Sequence, residues 1–154
     1  MNHPWPLEPD LVDRRVLDVF IDGAGCRPDG TGSGYAFLIV GTGQERVKRI
    51  DGLTNNAAEY RGLRYALLNL RVGSSADVFS DSQLLVNQFS GEWAVRDPSL
   101  ARLLRRIHEI IEERQLKLTL SWIPREQNLA GKLLERGYRS SQGRAQNKLQ
   151  KLHL

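Results

Sequence analysis

At Asn55 the hydrophobic period of this 154-residue chain changes from that of strands to that of helices. Before it, VLDVFIDG (16–23), SGYAFLIVG (33–41) and QERVKRIDG (44–52) are β-rich runs, the last two joined by a tight turn around Gly41 to Gly43, which predicts a three-strand meander. After it, Ala58, Leu63, Ala66, Leu67 and Leu70 recur at helical spacing until Val72-Gly73. A short strand, ADVFS (76–80), leads to Asp81, whose carboxylate is suited to cap a helix DSQLLVNQF ending at Gly91. Pro98 opens a further helix, with Leu100, Leu103, Leu104, Ile107, Ile110 and Ile111 on one stripe, which is expected to pack on a sheet. LKLTLSWI (116–123) is the last strand, and Pro124 ends it before a final helix over about 127–135. The order βββαβααβα implies an α/β fold. Its sheet is mixed and five-stranded, with three antiparallel strands, then parallel ones reached by right-handed crossovers, and helices flank it.

Composition bounds the rest. With 40% hydrophobic and 26% charged residues the chain suits one globular domain, and no apolar run is long enough to span a membrane. Residues 1–14, with Pro4, Pro6 and Pro9, read as an irregular arm, 15–136 as the domain and 137–154 as a basic tail. The start shows no secretory pattern and the lone Cys26 forms no internal disulfide or zinc site, so a cytoplasmic monomer is expected. The net charge of +4 comes from the end of the chain. No acid follows Glu135, whereas Arg136, Arg139, Arg144, Lys148 and Lys151 are basic, which leaves 1–135 at about −1. The tail is either a solubilising segment or a source of non-specific phosphate affinity.

Asp22 closes the first strand and Asp81 follows the fourth, so parallel pairing would place both acids at carboxyl ends of strands, where open α/β sheets build their sites. Glu59, one turn into the helix after the third strand, would project over the same edge if that helix crosses it. Three converging carboxylates repel one another and call for a hard divalent cation, Mg²⁺ or Mn²⁺. Taken singly, an Asp before Gly is a turn residue and an Asp at a helix start is a cap.

The surrounding residues add more. IDGAG (21–25), TNNAAEYRGL (54–63), SDSQLLVNQ (80–88) and WIPREQN (122–128) resemble, in order, the motifs of type 1 ribonuclease H, over roughly 15–135. The resemblance implies an endonuclease that hydrolyses the RNA strand of RNA/DNA hybrids, with Asp22, Glu59 and Asp81 as catalytic acids holding two divalent ions and products bearing a 5′-phosphate and a 3′-hydroxyl. It also implies Thr54, Asn55 and Asn56 as contacts to the nucleic-acid backbone and minor groove, and Ser82, Gln83 and Asn128 as further substrate contacts. Trp93 would stack on a sugar of the DNA strand or belong to the core. The family pattern continues with a fourth aspartate, but its position here is Lys132, and a lysine binds no Mg²⁺. Glu135, three residues on, shares nearly the same helix face and is a candidate replacement. The histidine that some members carry before the last helix is absent; His108, between Ile107 and Glu109, reads as structural. A non-catalytic nucleic-acid-binding module on the same scaffold is the alternative that Lys132 raises, and a nuclease of this fold with another substrate is a third.

Overall fold

The computed structural model describes residues 15–136; the arm expected over 1–14 and the basic tail expected over 137–154 lie outside them. The elements are β1 (Val16–Ala24), β2 (Gly34–Ile39), β3 (Gln44–Arg49), α1 (Asn55–Leu68), β4 (Ser75–Ser80), α2 (Gln83–Ser90), α3 (Pro98–Glu113) and β5 (Lys117–Trp122). A 3-10 turn (Arg125–Gln127) and a helix α4 over 129–136 follow. The succession is the expected one. The sheet has five strands in the order β3-β2-β1-β4-β5. β1 pairs antiparallel with β2 and β2 with β3, whereas β1 with β4 and β4 with β5 are parallel.

The central strands hold the core. Val19 pairs with Ile39 on one side and Val78 on the other, and all three are buried. Together with Ile21 and Phe37 they pack under Tyr60, Leu63 and Leu67 of α1. Each such side chain contributes about 1.5–3 kcal/mol by leaving water. α1 crosses β1 so closely that a Cβ on Gly23 would stand 2.3 Å from the carbonyl carbon of Ala58, so only glycine fits there. That close approach carries the next residue, Glu59, to the sheet edge.

Four details depart from the sequence reading. α1 ends at Leu68, before the expected stop at Val72, because Asn69 donates its backbone N–H to Ala66 and its side-chain amide to the Tyr65 carbonyl, 2.8 Å away. The cap of α2 is Ser82, whose Oγ accepts the Leu85 N–H at 3.1 Å, and not Asp81, whose carboxylate stays available to its surroundings. α3 docks mainly on α1 instead of directly on the sheet, burying Leu100, Ile107 and Ile110. The final α-helix starts at 129, since the residues before it tighten into the 3-10 turn. α2 is tied to α1 by the Tyr60 hydroxyl, which donates to Gln88 Oε1 at 2.6 Å.

Candidate metal centre

Parallel pairing of β1 with β4 brings Asp22, near the end of one strand, beside Asp81, just past the end of the other. α1 adds Glu59. Ligand oxygens of Asp22, Glu59 and Asp81 all lie within 4.8 Å of one another. Glu59 is 8% exposed, and its Oε2 is buried without a hydrogen-bond partner. Burial, then the charge of Asp81, pushes the Asp22 carboxyl up to about 6, against the pull of the Gly23 amide and the Arg125 guanidinium. Burial and the charges of Asp22 and Asp81 hold Glu59 well above the usual carboxylate range. Three crowded carboxylates with one orphaned buried oxygen, and no histidine or thiol among them, fit a hard divalent ion that takes oxygen ligands.

The turn before α4 fixes this cluster from the side. Asn128 is fully buried; its Nδ2 donates to the Ile21 carbonyl at 2.9 Å and to Asp81 Oδ2 at 3.2 Å, and its Oδ1 accepts the Ala130 N–H. Its amide is thus engaged inside the protein, where it orients Asp81. Trp122 donates its indole N–H to the Asp81 carbonyl at 3.1 Å, so Asp81 is held through backbone and side chain alike.

The remaining expected residues are distributed around the centre. Thr54 caps α1, accepting the Ala57 N–H at 3.1 Å, and Asn55 Oδ1 accepts the Gly25 N–H at 2.7 Å, which ties α1 to the loop after β1. Asn56 and Gln83 are exposed, and Ser82 is the cap already described. Trp93 is 46% exposed, so it is not a core residue. His108 stacks on Phe89 with ring centroids 5.3 Å apart, the structural placement its neighbours predicted. Lys132 and Glu135 face a cleft of about 720 Å³ beside Asp22; among the described residues Glu135 is not part of the oxygen cluster.

Two features escaped the sequence reading. Arg125 acts electrostatically on both Asp22 and Glu59, a proximity set by the turn after β5. Arg61 and Arg64 of α1 and Arg102 and Arg106 of α3 line a groove of about 480 Å³ that reaches Thr54, with Arg61 Nε buried and without a partner. Their helical spacing was visible, but the meeting of the two helices was not.

A family model described as "Reverse transcriptase-like" matches residues 39–134. Among solved structures, the fold is similar to ribonuclease H1 LC11, isolated from compost and crystallised in complex with an RNA/DNA hybrid, with TM-score 0.68 and 32% identity over 77% of this chain and 92% of that one. The N-terminal ribonuclease H domain of Rv2228c from Mycobacterium tuberculosis gives TM-score 0.65 at 29% identity, covering 78% of this chain and 95% of that one. By sequence, the chain is 36% identical over 86 residues to the bifunctional protein Rv2228c of that organism, which is 54% of this chain and 23% of that protein. It is 35% identical over 79 residues, 49% of this chain and 35% of the other, to the protein YpeP of Bacillus subtilis. The chain therefore matches only about a quarter to a third of the length of these curated relatives. With motifs, strand order and fold in agreement, the chain belongs to the type 1 ribonuclease H family.

Proposed function

We propose that this chain is a metal-dependent endonuclease that hydrolyses the RNA strand of RNA/DNA hybrids by two-metal-ion catalysis. The observation that carries the proposal is the convergence of Asp22, Glu59 and Asp81 within 4.8 Å around the unpartnered Oε2 of Glu59. These three acids would hold Mg²⁺ or Mn²⁺, which supplies a water of lowered pKa and stabilises the departing ribose oxygen. Asn128 and Trp122 keep Asp81 aimed at the cluster, and Arg125 offsets part of its negative charge. Thr54, Asn55 and Asn56, at the start of α1, together with Ser82 and Gln83, are the proposed contacts to the hybrid. Short hydroxyl and amide side chains there suit 2′-hydroxyls in a minor groove. Arg61, Arg64 and Arg102 in the groove between α1 and α3 favour a polyanionic substrate, because guanidinium groups recognise phosphate oxygens in pairs, whereas Arg106 beside them is paired with Glu109 and Glu113. The basic tail adds affinity for phosphates, and a cytoplasmic, monomeric enzyme completes the reading.

Lys132 at the fourth acid position favours a second reading, a nucleic-acid-binding module without catalysis. One assay separates them. A labelled RNA/DNA hybrid is incubated with the protein and Mg²⁺ or Mn²⁺, beside single-stranded and double-stranded RNA. Metal-dependent cleavage of the hybrid, lost in Asp22→Asn, is the expected result; binding without cleavage at any ion concentration supports the second reading.

A further inference from the structure

We propose that Lys132 binds a phosphate of the RNA strand next to the scissile one, which makes the cleft beside the three acids an anion subsite. The inference rests on the hybrid-nuclease reading and adds to it a residue of the opposite charge from the acid expected there.

The first turn of α4 lies against the acids, since a Cβ on Gly131 would stand 3.1 Å from Asp22 Oδ2. The following side chain, Lys132, is on the wall of the cleft. It is exposed, and among the described residues its ammonium makes no hydrogen bond or ion pair. Arg125 and Arg49 face the same space, with Arg49 donating to the Leu134 carbonyl. Glu126 and Glu135 also border the cleft, so three cations meet two carboxylates there, apart from Asp22 itself. A phosphate approaching Asp22, Glu59 and Asp81 is repelled by all three. A lysine ammonium at the rim offsets that repulsion and, being a compact charge on a flexible stem, follows a phosphate without demanding one fixed geometry. At about 720 Å³ the cleft is wide enough for a nucleotide. The occupant is a strand phosphate and not a free anion, because the neighbouring phosphate of the same strand must reach the acids.

Fluorescence anisotropy with a labelled hybrid in chelator, where no cleavage occurs, tests this on the full chain. Affinity is measured against salt concentration for the parent, Lys132→Gln and Lys132→Arg. Loss of one phosphate contact is expected to weaken binding about three- to tenfold in Lys132→Gln and to reduce the slope of log affinity against log salt by about one, with Lys132→Arg close to the parent. Single methylphosphonate replacements along the RNA strand then locate the contact, since removing the charge of the partner phosphate should abolish the difference between parent and Lys132→Gln. Unchanged affinity and slope in Lys132→Gln, with the parent binding the hybrid, overturns this inference alone. A folded parent that neither binds the hybrid in chelator nor cleaves it with Mg²⁺ or Mn²⁺ overturns the hybrid-nuclease reading and this inference together.

Discussion

The side-chain amide of Asn128 donates at once to Oδ2 of Asp81, 3.2 Å away, and to the Ile21 carbonyl, 2.9 Å away, so one fully buried group joins the last turn to the ends of both parallel strands. Asn128→Ala leaves a buried carbonyl and a carboxylate without their donor, at a cost of about 1–3 kcal/mol. The same change frees Asp81 to rotate away from Glu59. Urea unfolding is expected to show the stability loss, and hybrid cleavage should fall through kcat more than KM, since no substrate contact is removed. A variant with the parent's unfolding midpoint and full activity would show that Asn128 neither supports the fold nor positions Asp81.

Asp22 titrates near 6, above the 3.8 of a free aspartate, mainly because it is buried. Folding therefore favours its protonated form. Between about pH 4 and 6 the native state holds more protons than the unfolded chain, so stability of the metal-free protein must fall as pH rises through this window. Glu59, raised as well, extends the decline upward. Thermal melts in chelator should drop in Tm over that range and Mg²⁺ should restore it at neutral pH. Asp22→Asn should flatten the profile, raise the neutral-pH stability by about 1–3 kcal/mol and abolish cleavage. A pH-independent Tm in the metal-free parent would contradict the repulsion argument.

The succession of elements and the three acidic runs were legible because both are encoded locally. The shift of period at Asn55 marks where the meander ends, and Asp22, Glu59 and Asp81 each sit in a recognisable run. The cap of α2 was misread because Asp81 and Ser82 are adjacent and both favour that position; the strand end holds the first outside the helix. The burial of Asn128 was not legible because a polar residue in a loop gives no sign of being buried, and only the packing of the turn on β1 shows it. The influence of Arg125 on the acids, and the bond from Trp122 to Asp81, likewise depend on distances that no periodicity records.

Gly23→Ala tests how α1 is set. A Cβ there meets Ala58 and Glu59 backbone atoms at 2.3–2.5 Å, and neither is the end of a flexible side chain, so the helix must lift. Overpacking of this kind costs about 1–3 kcal/mol. Because Glu59 travels with the helix, affinity for Mn²⁺ by calorimetry should fall even in conditions where the variant remains folded. Unaltered Mn²⁺ affinity in the folded variant would show that the close contact serves packing alone.

Lys132→Asp replaces an exposed cation on the cleft wall by a carboxylate at the position where the family pattern carries its fourth acid. With only three acids in the oxygen cluster, the parent should need millimolar Mg²⁺ or favour Mn²⁺, which stands above Mg²⁺ in affinity for such ligands. The substitution removes a repulsive charge and adds an oxygen donor, so the Mg²⁺ concentration for half-maximal cleavage should fall about tenfold, equivalent to ~1.4 kcal/mol. KM for the hybrid should rise at the same time, because the proposed phosphate contact is lost. Glu135 lies outside the cluster, so Glu135→Gln should leave the metal dependence within about twofold of the parent. Cleavage measured against metal concentration for the parent and both variants separates the possibilities. A severe loss in Glu135→Gln, rescued by adding Lys132→Asp, would make Glu135 the working fourth ligand. No response to Lys132→Asp, with Glu135→Gln silent, would make the three-acid centre complete as it stands.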